Sequence, residues 1–289
     1  MDERDVLGKF FEQNRSHLRA VAYRMLGSAS EADDAIQEAW LRLNRSDTSG
    51  IQNLDGWLTT VVARISLDML RSRASRREDS WEARVSEPIE ARGMVDPEAE
   101  AELAESVGLA LLVVLDALAP AERLAFVLHD MFDVSFDEIA SIVGRSPEAA
   151  RQLASRARRR VQGKTTVPGA DRARQREVVE AFLAALRGGD INGLLAVLDP
   201  DVVVRAETAE GVREIRGAQN WAQGAVVFSQ HGRFMEPALV DGRAGLITAP
   251  GGHLQRAVRF TIKDGKIVEA EIIINPERVR RLELAVLTE

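Results

Sequence analysis

The sequence predicts a multidomain chain, two all-α domains followed by an α+β domain. Three observations carry that expectation. Apolar residues recur at helical three-to-four spacing over the front half, short apolar runs separated by turn dipeptides fill the tail, and a charged, Pro-containing stretch between Ala74 and about Glu105 breaks the helical pattern. A chain of 289 residues is long enough for more than one core. With 45% hydrophobic and 29% charged residues, and 21 Gly beside 9 Pro, the composition is ordinary globular material and excludes collagen-like and disordered classes.

Taken in order, Asp5 to Arg77 is helical throughout, with Val6, Phe10 and Phe11, then Leu18, Val21, Ala22, Met25 and Leu26 on apolar stripes. Gly27 suits a helix C-cap, and Ser30 to Asp33 reads as a capping box for a helix that buries Ala35, Ile36, Ala39, Trp40 and Leu43. After a polar turn over Asn44 to Asn53, Asp55 can cap a helix from Gly56 to about Arg73. Residues 1–80 therefore form the first domain and 81–105 a linker. A second helical block, 106–163, opens with Leu109, Leu112, Val113, Leu115 and Leu118; Pro120 then starts a helix carrying Leu124, Ala125, Val127 and Leu128. The last domain, 164–289, combines helices near Arg172–Leu186, Asp190–Leu198 and Ala218–Phe228 with strands at Val202–Val204, Phe234–Val240, Ala244–Thr248, Leu254–Ile262 and Lys266–Ile274. Asp241-Gly242 and Asp264-Gly265 favour tight hairpins, so a curled antiparallel sheet is expected.

Several function classes fall away. There is no cysteine, which removes disulfides, thiolate metal sites and Cys nucleophiles. The longest apolar run, Gly108 to Leu115, is far short of the ~18 residues of a membrane span, and the charged start Met1 to Asp5 is unlike a secretory signal, so a cytoplasmic protein without membrane contact is expected. In the tail, Asp199, Asp201, Glu207, His231, His253 and Glu271 are scattered singly, no His pair has metal-ligand spacing, and Gly251-Gly252 reads as a turn. No catalytic residue, metal or cofactor is expected.

The net charge of −7 hides two basic strips. Asp96 to Glu122 holds seven acids and no base, whereas Gly144 to Lys164 holds six Arg and one Lys against Glu148, and Arg64 to Arg77 has five Arg against Asp68. Between Ser135 and Val161 the local signals converge. Ser135 and Glu138 have capping-box spacing, Phe136, Ile139, Ala140 and Val143 share an apolar face, and Gly144 stands where a helix ends left-handed. Ser146 and Pro147 open a second helix that buries Ala150, Leu153, Ala154, Ala157 and Val161 and presents Arg151, Gln152, Ser155, Arg156 and Arg159. Two short helices joined by three residues, with the basic face on the second, describe a DNA-reading helix-turn-helix.

Longer motifs add a resemblance. Tyr23-Arg24-Met25-Leu26-Gly27 and Glu31 to Leu43 closely resemble region 2 of extracytoplasmic-function sigma factors; Gly56 to Arg64, continuing to Asp68-Met69-Leu70-Arg71, resembles that family's promoter-melting and −10-reading helix. Leu118 to Arg123 with the helix-turn-helix resembles region 4, and the tail resembles a SnoaL-like, NTF2-type cone carried by one group of these factors. The resemblance implies binding of −35 DNA by Arg145, Ser146, Arg151, Gln152, Ser155, Arg156 and Arg159. It implies −10 reading and melting by Trp57, Thr60, Arg64, Arg71 and Arg73, an aromatic and basic strip of the kind that stacks and neutralises single strands; Arg76 extends it. Asp33, Asp34, Gln37, Glu38 and Leu41 would meet RNA polymerase core, whose large-subunit coiled coil and flap are the implied partners along with promoter DNA. Glu87, Pro88, Asn275 and Pro276 stand at the positions of the group's cis-regulatory motifs, which implies control without a separate anti-sigma factor and leaves a small-molecule ligand in the cone as an option. A ligand-sensing helix-turn-helix regulator and a DNA-binding protein fused to a ketosteroid-isomerase-like enzyme are the alternatives.

Overall fold

The computed structural model describes residues 3–48, 50–79, 108–163, 169–208, 211–227 and 229–287, so Glu87 and Pro88 lie outside the described residues. The chain divides into two compact units, Met1–Val107 with Leu115–Arg158, and Gly108–Val114 with Arg159–Glu289.

The first unit is helical. Helices α1 (Glu3–Leu26), α2 (Ala29–Arg45) and α3 (Leu54–Asp79) pack on one another through Leu18, Val21, Met25, Ile36, Leu43, Leu58, Val62 and Leu67, all buried. Gly27 ends α1 left-handed at φ 73°, as expected. Two caps differ from expectation. The N-cap of α2 is Ser28, whose Oγ accepts the Glu31 N–H, while Ser30 only hydrogen-bonds the Ser28 hydroxyl. At α3 the Asn53 side chain accepts from the Gly56 N–H, which leaves Asp55 in the first turn.

Helix α4 (Leu109–Asp116) is followed by α5 (Pro120–Phe126), with Pro120 in its first turn. Val127–Met131 then forms a π turn, which the apolar spacing did not reveal, and Asp133 turns the chain at φ 55° into α6 (Phe136–Val143) and α7 (Pro147–Gln162). Helix α3 packs against α5 and α6, and α1 against the π turn. At the α1–α5 contact lies Arg123 of α5, only 1% exposed. Its Nε donates to the Arg24 carbonyl at 3.1 Å and its Nη1 to Asp116 at 3.3 Å. Burial lowers its pKa to about 10, against the pull of Asp116, so it is cationic at neutral pH.

The second unit holds α8 (Gly169–Gly188), α9 (Ile191–Val197), α10 (Ala218–Val226), α11 (Pro276–Val279) and a seven-stranded sheet. Its strands are β1 (Leu198–Thr208), β2 (Gly211–Arg216), β3 (Met235–Val240), β4 (Arg243–Thr248), β5 (Arg256–Lys263), β6 (Lys266–Ile273) and β7 (Leu284–Val286), in the order β2-β1-β6-β5-β4-β3-β7. The sheet is mixed, not purely antiparallel, because β1 and β6 run parallel. The Asp241-Gly242 and Asp264-Gly265 pairs all have positive φ, between 49° and 76°, the geometry of tight hairpins. Phe182 of α8, Trp221 of α10 and Phe260 of β5 meet at the centre, with ring centroids 5.2 Å (Phe182–Trp221) and 5.4 Å (Phe182–Phe260) apart. No helix among the described residues is long and apolar enough to cross a membrane.

The buried guanidinium gives a direct test of how the helical unit is held. Arg123→Ala should lower stability by about 2–4 kcal/mol, since it opens a cavity and strands a buried carbonyl. A denaturation midpoint unchanged from wild type would contradict the role given to that side chain.

Candidate nucleic-acid interface

The helix-turn-helix forms as its local chemistry dictates. Ser135 Oγ accepts the Glu138 N–H at 3.3 Å while the Glu138 carboxylate accepts the Ser135 N–H at 3.1 Å, a complete capping box. Gly144 closes α6 at φ 69°, and Ser146 Oγ accepts the Ala149 N–H at 3.2 Å to open α7. Ala150, Leu153, Ala154, Ala157 and Val161 are buried. On the opposite side Arg151, Gln152, Ser155, Arg156 and Arg159 are all exposed, as are Arg145 and Ser146 in the turn. The face is not uniformly free. Arg156 Nε donates to Glu122 at 2.8 Å and Arg158 Nε to Asp130 at 2.5 Å, tying one edge of α7 to α5 and the π turn. Arg151 lies over the Phe136 ring at 5.4 Å, and the His129 ring stacks on Phe136 at 3.9 Å. Sequence reading placed Phe136 in the core and gave His129 no role; only the π turn brings the two rings together.

On α3, Trp57 and Thr60 are half-buried while Arg64 and Arg71 are exposed. Helical spacing puts these four on one face. Arg64 Nη2 reaches the Ser141 carbonyl at 3.5 Å, and Arg71 pairs loosely with Asp68 at 3.8 Å. Arg73 is not brought to that strip. At about 100° per residue it is turned about 160° from Trp57, where it donates to the Leu26 carbonyl at 3.2 Å and pairs with Glu31. The Arg76 side chain lies outside the described residues.

Helix α2 presents Asp34, Gln37 and Leu41 to solvent, with Glu38 half-buried and held by Arg42 at 3.0 Å. Between α2 and α3 runs a groove of about 430 Å³ lined by the acids Glu31, Asp34, Glu38 and Asp68, by Arg42 and Arg73, and by Ser72, Ile65 and Met69. Asp33 is exposed but engaged, accepting from Arg19 at 2.7 and 3.1 Å.

In the second unit, Asn275 N-caps α11, its side chain accepting from the N–H groups of Glu277 and Arg278 at 2.9 and 3.2 Å, and Pro276 takes the first turn. The Asn275 and Ile274 N–H groups both donate to Glu207 at 2.9 Å. Arg278 bridges Glu207 and Glu271, and Arg259 links Glu271 to Asp241, so two acids that looked solitary in sequence belong to one ion network. Burial alone would raise both carboxylates. For Glu207 the backbone donors and Arg278 outweigh it, for Glu271 the two arginines do, and both groups are held below the usual carboxylate range.

Comparison with known proteins accords with this arrangement. Residues 10–76 match sigma-70 region 2, and residues 108–161 match sigma-70 region 4. Over 287 residues the chain is 40% identical to the ECF RNA polymerase sigma factor SigJ of Mycobacterium tuberculosis, covering 93% of this chain and 91% of that protein. It is 32% identical over 285 residues to the probable ECF RNA polymerase sigma factor SigI of the same species, covering 96% of each. The crystal structure of Mycobacterium tuberculosis SigJ aligns over 94% of this chain and 98% of its own, at 34% identity and a TM-score of 0.46. With two sigma regions in order and a relative aligned through the tail, the chain belongs to the extracytoplasmic-function RNA polymerase sigma factors, the subunits that direct transcription initiation.

Proposed function

We propose that α7 and the turn before it read the −35 element, that the α3 strip from Trp57 to Arg71 receives the melted −10 strand, and that the α2 groove seats on the large-subunit coiled coil of core polymerase, with the flap a second contact. The observation that carries this reading is the fully capped helix-turn-helix whose exposed side is Arg151, Gln152, Ser155 and Arg159. These side chains can donate to phosphates and to purine edges in a major groove. The α2 face supports the polymerase contact by chemistry: beside Glu31 and Glu38, which Arg73 and Arg42 engage, it presents Asp34 and the apolar Leu41 to solvent, which suits a helical partner that is basic and partly apolar. Holding both DNA-reading modules on one enzyme makes the second contact intramolecular and raises its effective concentration.

The C-terminal domain, on this reading, adjusts activity in cis through the segment anchored at Asn275 and Pro276, with no separate anti-sigma factor. We give it no catalytic role. Glu207 and Glu271 are already engaged, Glu207 by two backbone N–H groups and Arg278 and Glu271 by Arg259 and Arg278, which favours a structural role for both acids.

Run-off transcription with core polymerase tests the assignment. Arg151→Ala should cut initiation at −35-dependent promoters while core binding stays intact; unaltered promoter use would contradict the −35 role. Asp34→Lys with Glu38→Lys should weaken core association roughly tenfold or more, because two acidic side chains on the proposed contact face reverse their charge. A gel-shift or co-elution titration equal to wild type would remove the α2 face from the polymerase contact.

For the cis-regulatory segment the expected result is a release. Arg278→Met should raise run-off yield from the full chain at equal core affinity, and an unchanged yield would count against regulation through this segment. Its stability signature has a definite sign. Glu207 and Glu271 are depressed in the fold, so their contribution is present above the ordinary value of 4.5 and fades as pH falls through their lowered values. Because Arg278 is 46% exposed, the effect is about 1 kcal/mol or less. The variant should melt slightly earlier at neutral pH and lose less on acidification than wild type.

A further inference from the structure

Among the side chains that the function leaves unused, His129 and Phe136 stand out, because they connect a π turn to an arginine on the reading face. Nδ1 of His129 lies 3.0 Å from the Val134 carbonyl, which fixes the imidazole plane, and the Val134 N–H donates back to Leu128 to close the turn. The imidazole packs against Phe136 with centroids 3.9 Å apart and the planes inclined by 33°, and the Arg151 guanidinium lies over the Phe136 ring at 5.4 Å. Phe136 is held half-buried at the first turn of α6, so its ring is set by the helix and by the imidazole together. Among the described residues the other contact of Arg151 is Glu148 at 3.7 Å, an exposed pair with little hold on it. A ring is therefore the main surface against which this arginine can rest before DNA arrives.

We propose that His129 and Phe136 are positioning residues for promoter reading: their stacked rings pre-order the Arg151 guanidinium on the DNA-facing side of α7. The inference rests on the reading of α7 as the −35 helix. An arginine carries high rotamer entropy, and part of it is lost when the side chain is laid along a ring in the free protein instead of on the DNA. His129 lies inside the π turn, which thereby carries the imidazole that meets Phe136. Neither ring touches DNA in this proposal; both act through Arg151.

The test uses holoenzyme built from the full chain and bacterial core polymerase, on promoter fragments selected by that holoenzyme from a library randomised across the −35 element. Phe136→Leu should weaken promoter binding about two- to fivefold, the scale of an exposed cation–π contact, and should flatten base preference within the selected element. Phe136→Tyr, which keeps the ring face, should restore both. The decisive comparison is a double-mutant cycle: in an Arg151→Ala background, Phe136→Leu should cost nothing further. An equal loss in that background would show that Phe136 serves helix packing alone and would overturn the proposal. His129→Phe should behave as wild type and His129→Ala as Phe136→Leu; if His129→Ala matches wild type, the imidazole has no part. The reading of α7 itself fails separately: in that case Arg151→Ala leaves the base preference of the selection unchanged, and the positioning role falls with it.

Discussion

The helical unit depends on a cation buried at the end of its first helix. A helix C-terminus leaves carbonyls unpaired and carries partial negative charge, so burying it against another helix requires a donor with positive charge. Arg123 supplies that donor from α5, reaching the Arg24 carbonyl with one nitrogen and Asp116 with another. Arg73 of α3 does the same for the Leu26 carbonyl from a second direction. The geometry leaves little freedom at Gly27: a Cβ there would stand 3.3 Å from Arg123 Nη2, at a residue already held at φ 73°. Two sigma regions that are separate in sequence thus meet through one helix end, and Arg24, whose carbonyl is the acceptor, lies over Phe132 just beyond the π turn. Removing the guanidinium takes away the donor to the Arg24 carbonyl, while Asp116, 39% exposed, keeps access to water.

Where the sequence was legible, the signal was local. Ser135, Glu138, Gly144 and Ser146 specify their turn because every bond they make lies within four residues, and the Asp-Gly hairpins are equally self-contained. The two caps that shifted show the limit of the same logic. Ser28 and Ser30 are both plausible N-caps by type, and the choice falls to Ser28 because α1 ends at Leu26 and Gly27 turns the chain at once. The π turn was hidden because Leu124, Ala125, Val127 and Leu128 satisfy a helical stripe whichever way the turn widens. Strand β2 has no buried face to alternate against, β7 is only three residues long, and the parallel pairing of β1 with β6 joins distant segments that carry no mark of each other.

The candidate site divides along the same line. Residue type and helical spacing correctly gathered the exposed face of α7 and the cluster Asp34, Gln37, Glu38 and Leu41, because a single helix brings such residues together. What spacing could not show is which charges are already engaged. Asp33 faces Arg19, Arg73 faces Glu31, and Arg156 faces Glu122, each partner coming from another helix. The C-terminal acids were misjudged in the opposite sense: Glu207 and Glu271 looked isolated, yet Arg278 joins them across strands that meet only in the folded sheet.

That distribution of engaged and unengaged arginines bears on how an acidic chain can read DNA at all. Arg156 and Arg158 are held by Glu122 and Asp130, so they position α7 on its own fold, whereas Arg145 and Arg159 make no side-chain contact among the described residues and Arg151 only weak ones. On the proposed reading, three unengaged cations and three polar side chains, Ser146, Gln152 and Ser155, make a face with few phosphate contacts. With an electrostatic slope near 0.9 per phosphate, such a face gains little affinity from counterion release and loses little with salt. On the proposed reading, simultaneous contacts at two elements supply the rest of the affinity, and a polymerase surface that holds both modules at once is the physical means of combining them.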